Sequence, residues 1–239
     1  MKNVVQNIRP HALKPLIKRL VHSKFSRIAK PHWHKIAVGG LWEEMGKLQF
    51  NFMVGEGLKP EDYLLDVGCG SLRGGIHFVR YLEPGHYFGI DINRDLIEAG
   101  KGELKKNHLT DKKPVLTEMD NFLFSSLSQE FNYALAQSVF THLPLNSILM
   151  CIMNIDKVLV WGGRFYATFF ENPEGRSRLE PIVHPRADGP GIATYFDKDP
   201  YHYDFETFKW MCEGTKLRVE YIGEWGHPRD QKMLVFMKM

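Results

Sequence analysis

The segment Asp66-Val67-Gly68-Cys69-Gly70-Ser71-Leu72-Arg73-Gly74-Gly75 sets a carboxylate beside a glycine-rich turn. It follows the apolar run Tyr63-Leu64-Leu65 and leads into Ile76-His77-Phe78-Val79-Arg80-Tyr81-Leu82, which reads as a helix. A strand that feeds a helix through such a turn builds a cradle for a nucleotide cofactor. Glycine lets the backbone approach a ligand where a Cβ would collide, and the helix N-terminus presents unpaired N–H groups. A second carboxylate, Asp91, ends the strand-like run from His86 to Ile90, about 20 residues beyond the turn. That spacing suits a carboxylate accepting hydrogen bonds from two ribose hydroxyls. The alternative for Asp91 is to cap the helix expected over 94–107.

The details of the turn decide between cofactors. A dinucleotide fingerprint, G-x-G-x-x-G, needs a third glycine for close helix–strand packing, and Arg73 stands at that position. The acid-x-Gly-x-Gly pattern from Asp66 to Gly70 instead resembles motif I of the class I S-adenosylmethionine-dependent methyltransferases. Many members of that family continue with a third glycine or a small-Gly pair, whereas Ser71-Leu72-Arg73 intervene here before Gly74-Gly75.

The resemblance continues along the chain. It implies that S-adenosylmethionine is the cofactor, with Asp66, Gly68, Cys69 and Gly70 passing its methionine part and Asp91 with Ile92 at its ribose. A third strand over 114–119 ends at Asp120-Asn121-Phe122. The family places adenine contacts there, an acid on the exocyclic amine and an apolar side chain on the ring face; an ordinary Asn-containing turn is the other reading. A fourth strand over 131–136 leads into Gln137-Ser138-Val139-Phe140-Thr141-His142-Leu143-Pro144, similar to the family's strand-four exit. Each match sits at the C-terminal end of a strand, the edge where open α/β sheets bind ligands. Two further residues carry open alternatives: Trp42 as an aromatic cover or a core residue, and Arg73 on the cofactor carboxylate or capping a turn.

Methyl transfer from a sulfonium is an in-line displacement, so holding donor and acceptor close and aligned supplies most of the rate. An amine or hydroxyl acceptor also needs a base, whereas a carboxylate does not. Histidine suits that task near neutral pH. The candidates are His202 in Tyr201-His202-Tyr203, His142 after the fourth strand, and Glu171 after the fifth. His142 has a second reading, bordering the cofactor pocket or holding a loop. No metal is expected, because Asp120-Asn121 alone do not supply the ligands of the metal-dependent catechol type. The acid-or-Asn, Pro, Pro, aromatic sequence of the enzymes that methylate DNA bases or glutamine is also missing, replaced by Gln137-Ser138-Val139-Phe140.

The elements around these residues form one domain. The 239 residues are 44% hydrophobic and 25% charged, a soluble globular balance with room for one full core. Four strand–helix alternations over 63–160, with helices near 74–82, 94–107 and 144–160, predict an α/β fold. The expected architecture is a Rossmann-like, mostly parallel seven-stranded sheet with helices on both faces. A fifth strand over 164–170 and final strands near 217–223 and 232–238 complete it, with an antiparallel closing strand. The methyltransferase domain spans 41–239, opens with a helix from Leu41 to Met53, and carries a long proline-rich substrate loop over 171–203. Asp204 is the expected cap of a helix starting at Phe205.

Residues 1–40 form a basic helical N-terminal arm or lid with nine Lys or Arg and no acid, leaving −6 on the rest. Such an arm suits an anionic surface, a membrane face or nucleic acid, as well as a solvated lid or a targeting segment. No apolar run is long enough to cross a membrane. Three scattered cysteines fit a reducing, cytoplasmic setting. The leading expectation is an enzyme that methylates an oxygen or nitrogen of a small metabolite, such as a sugar or a secondary-metabolite intermediate. The alternatives are an RNA or protein methyltransferase docking through the basic arm, an NAD-dependent oxidoreductase, and a non-catalytic cofactor-binding module. The sequence does not set the acceptor or the oligomeric state.

Overall fold

The computed structural model describes residues 32–187 and 189–239, so the expected basic arm lies outside the described residues up to position 31. The compact unit runs from His34 to Met239. One helical turn, α1 (Trp33–Ala37), precedes the pre-domain helix α2 (Trp42–Gly55). The sheet then builds through β1 (Leu64–Val67), α3 (Gly75–Tyr81), β2 (Tyr87–Asp91), α4 (Arg94–Lys106), β3 (Val115–Glu118), β4 (Phe131–Ala136), α5 (Leu145–Val158) and β5 (Leu159–Glu171). Local chemistry sets these boundaries. Asn93 caps α4 by accepting from the Asp95 N–H at 2.9 Å, and Lys105 and Lys106 sit on its negative C-terminal end. All four residues of β1 are buried, as befits a parallel strand covered on both faces.

The strands order as β3-β2-β1-β4-β5-β10-β9, where β9 is Leu217–Gly223 and β10 is Lys232–Lys238. The pairs from β3 to β5 are parallel, and β10 runs antiparallel to both β5 and β9. These are the expected seven strands of a mixed sheet, to which one short further strand is added at the end of β5. The order reverses between β1 and β4, which opens a crevice beyond their C-terminal ends.

Three elements differ from expectation. The helix expected to reach residue 160 stops at Val158, because Leu159 already pairs with Phe131 and begins the long strand β5. The 171–203 segment is not irregular throughout. It folds into the hairpin β6 (Ile182–His184) with β7 (Ile192–Thr194), and β8 (His202–Tyr203) pairs parallel with the end of β5. Asp204 does precede α6 (Phe205–Met211), but its side chain makes no capping bond. It accepts instead from Asn172 Nδ2 at 2.7 Å and pairs with Arg178.

On one side of β5 the core is an aromatic cluster. Fully buried Phe208 of α6 meets Phe169 at 4.9 Å, Phe140 at 6.1 Å and Phe236 at 6.4 Å between ring centroids. Replacing Phe208 by alanine removes this filler from a packed interior. Urea unfolding is expected to show a loss of about 3–5 kcal/mol, since the surrounding strands cannot collapse into the hole.

Candidate functional site

A cavity of about 370 Å³ occupies the crevice at the switch point. Its walls come from the turn after β1, the exit of β4, the end of β5, the segment between α1 and α2, and the β9–β10 loop. Of the residues singled out in the sequence, Asp66, Gly68, Cys69, Gly70, Arg73, Asp91, Gln137 and His142 line it.

The turn is built tightly. Gly70 has φ +56°, and a Cβ there would come within 2.6 Å of Val38 Cγ1, so glycine is required both by conformation and by the segment lying across it. Asp91 fixes the turn from the next strand. Its Oδ2 accepts from the Gly70 N–H at 2.9 Å and its Oδ1 from the Asn93 N–H at 2.7 Å. Asp91 therefore joins the turn to the start of α4, while Asn93 does the capping. Burial raises its carboxyl above the usual range, and these two N–H groups oppose the shift.

The role of the missing third glycine has moved. Leu72 enters the core at φ +71° and is fully buried. Close packing of helix on strand falls to Gly75, where a Cβ would lie 2.5 Å from Tyr87 Oη. That hydroxyl donates to Asp66 Oδ2 at 2.6 Å, the bond the bare glycine makes room for. Asp66 is 5% exposed, and burial followed by the neighbouring Asp91 charge pushes its carboxyl up to about 6 in spite of the Tyr87 bond.

Arg73, 8% exposed, turns back over the cavity wall. Its Nη1 donates to the carbonyls of Val38 (2.6 Å) and Gly40 (3.1 Å), and its Nη2 to Gln137 Oε1 (2.7 Å). Its buried Nε has no hydrogen-bond acceptor among the described residues. Burial and the nearby Arg229 lower this guanidinium to about 10. Gln137 is the hub of the cavity floor: Oε1 also accepts from Gln49 Nε2 (3.0 Å), and Nε2 reaches Ser138 Oγ (2.6 Å) and His227 Nε2 (3.1 Å). Because Arg73 only donates, Gln137 must present its oxygen there and its amide hydrogens to Ser138 Oγ.

Other expected residues stand apart. Trp42 begins α2, with its ring edge-on to His34 at 5.6 Å and beneath Lys35 Nζ at 4.4 Å. Ile92 is half-buried outside the cavity lining. Asp120 and Asn121 are exposed; Asn121 Oδ1 accepts from the Leu123 N–H at 3.1 Å, and Phe122 packs on Phe124. His202 is 2% exposed, with Nδ1 on Thr194 Oγ1 (2.9 Å) and Nε2 on the Arg178 carbonyl (3.1 Å), so one nitrogen serves the hairpin and the other the stretch before it. Glu171 accepts from Tyr221 Oη at 2.7 Å and borders a different cavity.

Gln49, His227 and Arg229 line the cavity and were not read as site residues. Gln49 had a signal: a polar residue on the buried stripe Met45, Gln49, Met53 of α2. His227 had none beyond its proline neighbour. Burial, then Arg73 and Arg229, pull its imidazole down to about 3, so it is neutral at pH 7.

Residues 58–182 match the methyltransferase-domain family, more than half of the chain. The chain belongs to the class I S-adenosylmethionine-dependent methyltransferases. Its fold is shared with magnesium protoporphyrin IX methyltransferase (ChlM) of Synechocystis PCC 6803, solved with bound SAH, at 12% identity and a TM-score of 0.56, covering 82% of this chain and 85% of that one. The CcbJ methyltransferase of Streptomyces caelestis superposes with a TM-score of 0.62 at 12% identity, over 84% and 98% of the two chains. An uncharacterized protein of Methanocaldococcus jannaschii (MJ0906) is 27% identical over 107 residues, which is 41% of this chain but spans only 28% of that protein.

The cradle fits the family's cofactor. S-adenosylmethionine, when bound, supplies an electrophilic methyl group on a positively charged sulfur. Among the described residues, Asp66 gives the methyltransferase site a buried carboxylate whose Oδ1 receives no hydrogen bond, and Arg73 Nε is a buried donor without an acceptor. One suits an ammonium and the other a carboxylate, the two charged groups of a methionine moiety.

The raised Asp66 carboxyl makes a stability prediction. A group whose folded pKa exceeds its unfolded one favours folding while protonated, so that contribution is complete below the ordinary aspartate value of 3.8 and is lost as pH rises through about 6. Asp66→Asn keeps an acceptor for Tyr87 and no longer ionises. In urea unfolding without cofactor, the variant is expected to exceed the parent by on the order of 2 kcal/mol at pH 7.5, with the gap closing by pH 4.

Proposed function

We propose that this protein transfers a methyl group from S-adenosylmethionine to an oxygen or nitrogen of a small metabolite. The observation that carries the reading is the bounded cavity. It is lined by the glycine turn together with His142 after β4, Phe170 at the end of β5, Ile192 at the start of β7, Pro200 before β8 and His227 of the β9–β10 loop. A site walled by the 38–40 segment and the 171–203 segment suits a compact acceptor better than an extended polymer. The similarity to ChlM, whose name gives a small-molecule acceptor, supports the same class.

Within this reading, Asp91 holds the ribose with its remaining lone pairs, Asp66 faces the ammonium of the methionine part and Arg73 its carboxylate. Gln137 fixes Arg73, and the Val38–Gly40 strap excludes water from the turn.

Calorimetry with S-adenosylhomocysteine tests the cofactor half. Asp91→Ala is expected to weaken binding at least tenfold, about 1.4 kcal/mol, while circular dichroism shows a folded protein. An unchanged affinity would remove Asp91 from the site. Incubation with S-adenosylmethionine tests the acceptor half, by adenosylhomocysteine release in a deproteinised metabolite extract against purified total RNA and against protein freed of small molecules. Release confined to the RNA or protein arm would overturn the small-metabolite reading.

A further inference from the structure

Four histidines surround the cavity and its loops, and the structure separates them by what their nitrogens already do. His202 and His184 are buried with both ring nitrogens in hydrogen bonds. His227 meets Gln137 on Nε2 and the Arg229 N–H on Nδ1. His142 differs. It ends the 3-10 turn Phe140–His142 after β4, its ring lines the cavity, and only Nδ1 is engaged, 2.5 Å from Asp199 Oδ1. Nε2 has no partner among the described residues.

Asp199 comes from a segment 57 positions further along, yet its place is set by main-chain bonds to the same turn. The Tyr201 N–H donates to the Thr141 carbonyl at 2.8 Å, and the Tyr195 N–H to the Pro200 carbonyl at 2.8 Å. β8 then anchors this stretch on the end of β5. The Asp199 side chain is 18% exposed against 57% for His142, so the carboxylate is the fixed member of the pair. An ionised carboxylate only accepts, so Nδ1 carries the proton and Nε2 keeps its lone pair.

We propose that His142 is the general base of the methyl transfer, with Asp199 as its positioning residue, and that the acceptor is therefore a hydroxyl or amine rather than a carboxylate. The proposal rests on the methyltransferase reading above. In the step, the acceptor's lone pair forms the new bond to the methyl carbon, and the electron pair of the broken carbon–sulfur bond stays on sulfur. The acceptor's O–H or N–H bond breaks and its proton passes to His142 Nε2, leaving an imidazolium beside Asp199. A carboxylate acceptor has no proton to lose and would leave the pair without a task.

The experiment uses the full chain in three measurements. First, ¹⁵N correlation spectra of the protein with S-adenosylhomocysteine are expected to show His142 as the Nδ1–H tautomer, lost in Asp199→Asn; Nε2–H in the parent overturns the dyad. Second, tritiated methyl is transferred to a deproteinised metabolite extract and the product treated with mild alkali. Ethers and amines keep the label and esters release it as methanol, so alkali-labile label overturns the acceptor class. Third, His142→Gln is expected to lower kcat about 100-fold or more and Asp199→Asn about 10-fold or more. Asp199→Glu should recover part of the loss, and adenosylhomocysteine affinity should stay within about twofold throughout. Parental kcat in Asp199→Asn overturns the positioning role. No label transfer by the parent protein overturns small-molecule methylation itself, and the tautomer spectrum then still decides the dyad.

Discussion

The bond from Tyr87 Oη to Asp66 Oδ2 is the constraint on which the cradle depends. It joins the start of β2 to the C-terminal half of β1 beneath the turn. Three features follow from it. Gly75 must be bare so that the phenol can pass. The turn must enter α3 later than in a G-x-G-x-x-G chain, which Leu72 achieves by plugging the core at a left-handed φ. A carboxylate must stay in a place where burial raises it to about 6. A charge in such a place costs stability unless it meets a cation. The fold therefore carries a penalty that a cationic ligand can relieve, which is a common character of binding sites.

The second organising element is the chain of donors and acceptors running from the Val38–Gly40 strap through Arg73 and Gln137 to His227. It crosses four separate stretches of sequence and locks amide and guanidinium orientations in turn. Networks of this kind restrict a site, because each bonded member fixes the orientation of the next. The two arginines grip backbone carbonyls of the strap, Arg73 at Val38 and Gly40 and Arg229 at Gly39, so the strap is part of the cavity wall. Opening it would break several charge-assisted bonds together.

Much of this was legible in the sequence, and the reason is local. The glycine turn, Asp91 and the strand-four exit depend on short-range geometry that a few residues specify, and the sheet order follows from alternating strands and helices. Less legible were contacts made between distant segments. His202 lies in an aromatic triplet that suggested an exposed loop, yet β8 pairs with β5 and buries it. Glu171 follows the right strand, but alternation along β5 points Phe170 to the cavity and Glu171 to the other side, a period-two consequence that needed the strand's extent. His227 and Arg229 entered the site through a closing hairpin that no local pattern connects to the turn.

His142 shows how the two kinds of information combine. The local pattern after β4 places a histidine at the sheet edge but says nothing of its protonation. A carboxylate from the 195–203 stretch, which is tied to the turn by the Tyr201 N–H on the Thr141 carbonyl, decides which nitrogen keeps a lone pair. The segment therefore lines the cavity with Pro200 and also fixes the hydrogen-bond partner of the neighbouring His142. A change in its length or path would alter acceptor fit and histidine tautomer together. In the proposed mechanism, acceptor fit and proton chemistry are coupled through one stretch of backbone.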